Sequence, residues 1–330
     1  MYALYPVIGN YLSGTTASGL FEARLGAQEM GKENHIYSPA YKEEEFDEIL
    51  SYCGHIVFNS FEQINRYRDR VMAAGKSMGI RINPQCSTQE GHAVYDPCAP
   101  GSRLGVTRER FRPEFLDGVE GIHFHTLCEQ DAGDLKITLD AVEEKFGEFL
   151  YRMKWVNFGG GHHITRPGYN IPLLEECIRN IQEKYRVTVY LEPGEAVALN
   201  AGVLLTRVLD TFFQDGNIAI LDASAACHMP DVLEMPYRPP LARSGREGEY
   251  PYTYCLAGPT CLAGDVIGTY SFEHPLSVGE RLEFGDMAIY TMVKNNTFNG
   301  MCLPAIAVER ENGECQVVKA FGYEDFKMRL

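Results

Sequence analysis

The sequence holds no long apolar run. No stretch reaches the ~18 consecutive apolar residues of a membrane-spanning helix, so no membrane span is expected. Met1 is followed by Tyr-Ala-Leu-Tyr-Pro, with neither a basic segment nor an apolar core. The start therefore does not read as a signal peptide, and the expected compartment is the cytoplasm. Basic residues are scarce: 30 Lys and Arg stand against 45 Asp and Glu, a formal net charge of -15. That balance disfavours nucleic acid as a partner and suits a cationic small molecule such as a polyamine. The ten cysteines include no Cys-x-x-Cys pair, and without a secretion signal they read as reduced, mostly buried thiols. Low-complexity segments and charge blocks are missing as well.

What is present is ordinary globular composition. The 330 residues are 45% hydrophobic and 23% charged, enough for one large domain or two smaller ones. Residues 1–199 alternate strand-like runs with amphipathic stretches. Strands are expected at His35–Tyr41, His55–Ser60, Met78–Pro84, Gly121–Leu127, Lys154–Gly161 and Val187–Gly194, with a short one near Gly14–Ser18. Helices are expected at Glu43–Tyr52, Phe61–Ala74, Asp134–Phe146 and Ile171–Tyr185. This pattern predicts a (β/α) barrel, whose functional residues gather at the carboxyl ends of its strands. Residues 200–330 change texture. Val203–Phe213, Ile218–Asp222, Arg281–Phe284, Met287–Val293 and Cys315–Ala320 are strand-like, which predicts a mostly β second domain, with Pro239–Tyr250 as a surface loop.

Two strand ends carry the chemistry. Trp155-Val156-Asn157-Phe158 ends in Gly159-Gly160-Gly161, and Val187–Leu191 ends in Glu192-Pro193-Gly194-Glu195. Three glycines offer bare backbone N–H groups to a phosphate. Glu-Pro-Gly holds a carboxylate rigidly at the same rim. Together they suit a phosphorylated pyridine, whose ring nitrogen the carboxylate keeps protonated. His123 and His125 share a strand face by alternation. A His-x-His pair can bind a metal, with His162, His163 and His228 in reserve, as in metal-dependent barrel hydrolases. No carboxylate-rich set completes that site, so no metal is expected, and an imidazole stacked on a flat cofactor ring fits the context better. Gly258-Pro259-Thr260-Cys261 forms a tight turn that projects a thiol. Tyr290 supplies a phenol.

These pieces resemble, in order and spacing, the fold-type III pyridoxal-phosphate decarboxylases, the group of ornithine and diaminopimelate decarboxylases. The nearer resemblance is to the carboxynorspermidine (carboxyspermidine) decarboxylases. It rests on Gly14–Ser18, Tyr37–Tyr41, Ser102-Arg103-Leu104-Gly105, His123–Glu129, Trp155–His163, Glu192–Val197, His228-Met229-Pro230-Asp231, Thr260–Asp265 and Tyr290–Gly300. The resemblance implies a (β/α)8-type barrel whose first strand is not in this chain, plus a carboxyl-terminal β domain. It implies pyridoxal 5'-phosphate as cofactor, a carboxy-polyamine substrate and a homodimer. His125 would stack on the pyridine, Glu192 would face its nitrogen, and Gly159, Gly160, Gly161, Gly194 and Tyr290 would hold the phosphate. Cys128 stands where relatives often carry a phosphate-contacting serine, and Arg81 resembles a cofactor-side arginine. Glu195 and Asp231 would bind the cationic substrate. Cys261 and Asp265 resemble the pair that reaches into the neighbouring subunit's site.

Two departures accompany the resemblance. In the family the Schiff-base lysine ends the first barrel strand, a position that would fall just upstream of Met1. Lys32, Lys42 and Lys76 do not match its motif. The match elsewhere favours a longer natural chain over a catalytically degenerate cofactor-binding or scaffold subunit. Ala226 stands where relatives carry Glu, which bears on substrate grip.

Overall fold

Residues 2–89 and 95–330 are described by a computed structural model. The chain divides into two units, Met1–Ala196 and Val197–Leu330. In unit one, α1 (Tyr5–Ile8) precedes seven strands: β1 (Gly14–Ala17), β2 (Glu33–Tyr37), β3 (His55–Phe58), β4 (Ser77–Arg81), β5 (Val119–His123), β6 (Trp155–Asn157) and β7 (Thr188–Tyr190). They pair in sequence order, all parallel, so every carboxyl end lies on one rim. The sheet curls until Thr16 on β1 donates to Glu192 beyond β7, at 3.0 Å.

The connecting helices are α2 (Leu20–Glu29), α3 (Phe46–Tyr52), α4 (Phe61–Ala73), α5 (Ala132–Leu150) and α6 (Ile171–Tyr185). Their starts are capped by short polar side chains. Ser60 accepts from the Gln63 N–H, Asp131 and Asp134 form a capping box, and Asn170 accepts from the Leu173 N–H. Helix α2 was not anticipated, because its buried side is only Leu20, Ala23 and Gly26. Phe46, Ile56, Phe58, Ile64 and Tyr67 fill the layer between sheet and helices.

Inside the curl, the single tryptophan sets the packing. A Cβ on Gly121 would lie 2.0 Å from the Trp155 ring, and one on Gly79 would lie 2.3 Å from it. The indole crosses strands that only glycine lets it approach. Its N–H donates to Ser77 at 2.8 Å.

The ladders stop short of several expected strand ends, at Tyr37, Arg81, His123, Asn157 and Tyr190. Pro39, Pro84 and Pro193 have no N–H to continue a ladder. Gly159 and Gly161 turn away with φ of +71° and +80°. The residues beyond each ladder become rim loops, where the polar side chains gather.

Unit two contains β8 (Leu204–Phe213), β9 (Asn217–Leu221), β10 (Tyr252–Ala257), β11 (Val266–Phe272) and β12 (Arg281–Phe284), in the order β11-β10-β9-β8-β12. β13 (Ile306–Glu309) and β14 (Cys315–Lys319) form a separate hairpin. Val208, Leu221, Leu256, Tyr270 and Phe284 form its core. Two expectations are corrected. Met287–Val293 is a series of turns rather than a strand, with Tyr290 in the left-handed region at φ +49°. β10 and β11 were not anticipated; Gly268 and the polar Thr269 and Ser271 interrupt the apolar alternation of β11. Among the described residues, no helix is long and apolar enough to cross a membrane.

Candidate active site

Glu192 lies two residues past β7, held by Pro193 and by its own N–H, which donates to the Gly159 carbonyl at 2.8 Å. Its Oε1 accepts from Asn157 at 2.8 Å and from Thr16 at 3.0 Å. Its Oε2 lies 3.4 Å from His123 Nε2. Burial alone would raise its pKa, but His123, His125 and the Asn157 amide outweigh burial and hold the carboxyl at about 2. The group is therefore an ionised carboxylate throughout the neutral range.

The neighbouring imidazoles are the reverse case. Burial pushes His125 down to about 3, with Arg81 adding to the shift. Burial likewise lowers His162 to about 4, and it lowers His123. His125 Nδ1 accepts the Gly160 N–H at 3.2 Å, which places its proton on Nε2 and fixes the ring as a neutral plane. His123 stacks on Tyr37, centroids 5.3 Å apart. The Arg81 guanidinium lies 4.4 Å from the centre of the Tyr37 ring and donates to the His125 carbonyl at 3.2 Å. Unit one thus gathers Arg81, His125, Glu192 and the glycine run on one rim.

The glycines do more structural work than expected. A Cβ on Gly159 would lie 2.4 Å from the Phe124 carbonyl oxygen, and one on Gly161 would lie 2.1 Å from that of Leu127. They let two rim loops close on each other. Three of the four N–H groups expected to face a phosphate are engaged within the protein: Gly159 to Asn157, Gly160 to His125 and Gly194 to the Glu192 carbonyl. Gly161 N–H has no protein acceptor among the described residues. Cys128 is half-buried on the adjoining loop, and its carbonyl accepts from Gln89. Glu195 lies in α7 (Gly194–Ala198).

Unit two holds the remaining expected residues. Asp265 is 2% exposed. Its carboxylate accepts from Ser224 at 3.0 Å, the Ala226 N–H at 3.2 Å and Thr260 at 2.7 Å. It ties the Thr260-Cys261 turn to the start of helix α8 (Ala225–His228). Cys261 itself is exposed, and its N–H donates to Asn299 at 2.7 Å. Asp231 opens helix α9 (Asp231–Glu234) and lies 2.5 Å from the Lys294 ammonium, which also reaches Glu234 at 3.1 Å. Tyr290 is 55% exposed, with the same ammonium 5.7 Å from its ring.

Sequence reasoning missed the residues that hold the expected ones: Thr16 and Asn157 on Glu192, Tyr37 under Arg81, Ser224 and Thr260 on Asp265. Asn157 was the one with a visible signal, an amide placed just before the glycine run. His123, on the same strand face as His125, faces Glu192.

An ionised carboxylate, a neutral imidazole and an open backbone N–H on the carboxyl rim of a parallel sheet suit a flat, phosphorylated heteroaromatic cofactor. The class is that of barrel-type pyridoxal-phosphate enzymes. The family model described as pyridoxal-dependent decarboxylase, C-terminal sheet domain, matches residues 35–288, and the chain belongs to that family. It is 43% identical to the carboxynorspermidine/carboxyspermidine decarboxylase of Campylobacter jejuni, over 98% of this chain and 87% of that protein. It is 42% identical to the carboxyaminopropylagmatine decarboxylase of Synechocystis, over 100% of this chain and 86% of that protein. The crystal structure of Campylobacter jejuni carboxynorspermidine decarboxylase complexed with norspermidine superposes with a TM-score of 0.92 at 42% identity, covering 100% of this chain and 89% of that one. The protein is a carboxy-lyase with pyridoxal 5'-phosphate as cofactor.

Proposed function

We propose that the protein decarboxylates a carboxylated polyamine, carboxynorspermidine or carboxyspermidine, releasing norspermidine or spermidine, as a cytoplasmic homodimer. The observation that carries this reading is the near full-length likeness to the Campylobacter jejuni enzyme. The net charge of -15 agrees with a polycationic substrate.

Bound at the rim, pyridoxal phosphate supplies an electron sink for the pair left when the bond to the carboxyl group breaks. Glu192 would hold a proton at the ring nitrogen, and the neutral His125 would offer its plane to the ring. Gly161 and Cys128 would line the phosphate on this rim, Arg81 would stand on the cofactor side, and Tyr290 would offer a phenol to a phosphate. Cys261 is the acid that returns a proton to the substrate carbon, in the partner copy's site. Glu195 and Asp231 would each offer a carboxylate to a cationic substrate group. Lys294 occupies Asp231 in this structure, in the manner of the cation that the acid would take.

The substrate is tested by comparing kcat/KM for carboxynorspermidine, carboxyspermidine, carboxyaminopropylagmatine and diaminopimelate. The two carboxylated polyamines are expected to lead. A lead for diaminopimelate would overturn the reading, and a lead for the agmatine compound would move it to the guanidino branch. Glu195→Gln and Asp231→Asn are each expected to raise KM about tenfold, the loss of one charge-assisted contact. Unchanged KM in both would make them solvated rim acids.

We infer that the cofactor-linking lysine is not among those of unit one. Lys42, Lys136, Lys154 and Lys184 pair with carboxylates, while Lys32 and Lys145 bond to backbone carbonyls. Lys76 precedes β4, at the end opposite Arg81. Borohydride reduction of the cofactor-loaded protein and peptide mapping should therefore find no pyridoxyl-lysine within residues 2–196. An adduct at any of these lysines would refute the assignment.

A further inference from the structure

The rim opposite Glu192 carries a second cluster that decarboxylation does not use. His35 and His55 are direct partners across the β2–β3 ladder. Glu33 lies two residues before His35, on the same strand face. One donor atom from each of the three lies within 4.8 Å of the others. Glu33 Oε1 is 2.5 Å from His35 Nε2 and 4.0 Å from His55 Nε2. The two imidazoles stack, centroids 4.0 Å apart.

Packing alone accounts poorly for His55. Its Nδ1 is buried without a partner, and Nε2 is too far from Glu33 for a hydrogen bond. A largely buried imidazole with a buried nitrogen left unpaired is costly. Its surroundings fix the ring. The Trp155 indole stacks on it, centroids 4.9 Å apart, and the Tyr190 ring meets it edge-on, centroids 5.5 Å apart. Burial keeps the ring neutral at physiological pH, as a ligand must be. The Glu33 side chain is 43% exposed, which gives an ion a path in from solvent.

We propose that Glu33, His35 and His55 form a site for a divalent transition metal of the zinc class at the amino-terminal rim of the barrel, clamping β2 to β3. Two imidazoles and one carboxylate select Zn2+, Co2+, Ni2+ or Cu2+ over Mg2+ and Ca2+. Bonds of about 2.0–2.1 Å set tetrahedral donors roughly 3.4 Å apart. The His35–Glu33 distance therefore lengthens and the His55–Glu33 distance shortens, by side-chain rotation. His35 would offer its Nε2 lone pair to the ion and keep its one ring proton on Nδ1. Water fills the fourth position.

The test is Zn2+ titration of the chelator-treated, cofactor-loaded protein by calorimetry, with Co2+ absorption as a second probe. One saturable Zn2+ per chain and a raised Tm are expected. His55→Phe keeps the stack on Trp155 and Glu33→Gln keeps a polar group at the mouth; each should weaken binding about tenfold or more. The Co2+ spectrum should lack intense thiolate charge-transfer bands. No saturable binding, binding unchanged in both variants, or thiolate bands from the exposed Cys261, Cys302 or Cys315 would overturn the site. Should His55→Phe fail to fold, the exposed Glu33 variant decides.

Discussion

Glu192→Gln is expected to lower kcat by about two to three orders of magnitude, in the range of losing one preorganised electrostatic group. Cofactor binding should persist, because the amide keeps the shape and can still meet Thr16 and His123. What changes is charge. The carboxylate is ionised because His123, His125 and the Asn157 amide outweigh burial, and that charge is what would hold a proton at a pyridine nitrogen. A neutral amide does not. The expected signature is therefore a fall in kcat with little change in KM, together with a shift in the bound cofactor's absorbance. A kcat within threefold of the parent would mean that Glu192 does not face the ring. The same group gives a pH prediction. Its folded pKa, about 2, lies below the ordinary 4.5, so its contribution to stability is present above 4.5 and is lost as pH falls toward 2. Acid unfolding of Glu192→Gln should accordingly begin from a lower baseline and show a shallower pH dependence across that window.

Asp265→Ala should act on stability rather than on a single chemical step. Its carboxylate is buried and accepts three hydrogen bonds, from Ser224, Thr260 and the Ala226 N–H. Truncation leaves those donors without partners, at about 1–3 kcal/mol for each that stays buried. A Tm lowered by several degrees is expected, with faster proteolysis around residues 258–265. Cys261→Ser is the contrasting variant. Its side chain is exposed, so Tm should hold while kcat falls. Equal Tm for Asp265→Ala and the parent, with kcat lost, would give Asp265 a direct role.

The strands and helices of unit one were legible because both faces of a parallel sheet are buried, which leaves uninterrupted apolar runs between amphipathic helices. Ile171–Tyr185 has the expected limits, since Asn170 caps its start and Arg186 ends it in the left-handed region. Helix Leu20–Glu29 escaped because small residues form its buried side. In unit two, Met287–Val293 has strand-forming composition, yet it folds as turns around the positive φ of Asp286 and Tyr290. Backbone sign at single residues is not written in apolar periodicity.

The sequence by itself determined the cofactor class. Glu192-Pro193-Gly194 and the glycine run are local signals, set by the covalent limits of proline and glycine within a few residues. Only the tertiary structure decided what makes Glu192 a carboxylate. Thr16 comes from 176 residues away, His123 from 69 and Asn157 from 35. No local rule joins them, because their meeting depends on strand order and on the curl that carries the first strand back to the last. The same holds for His55, which meets Glu33 and His35 only through the register of two parallel strands.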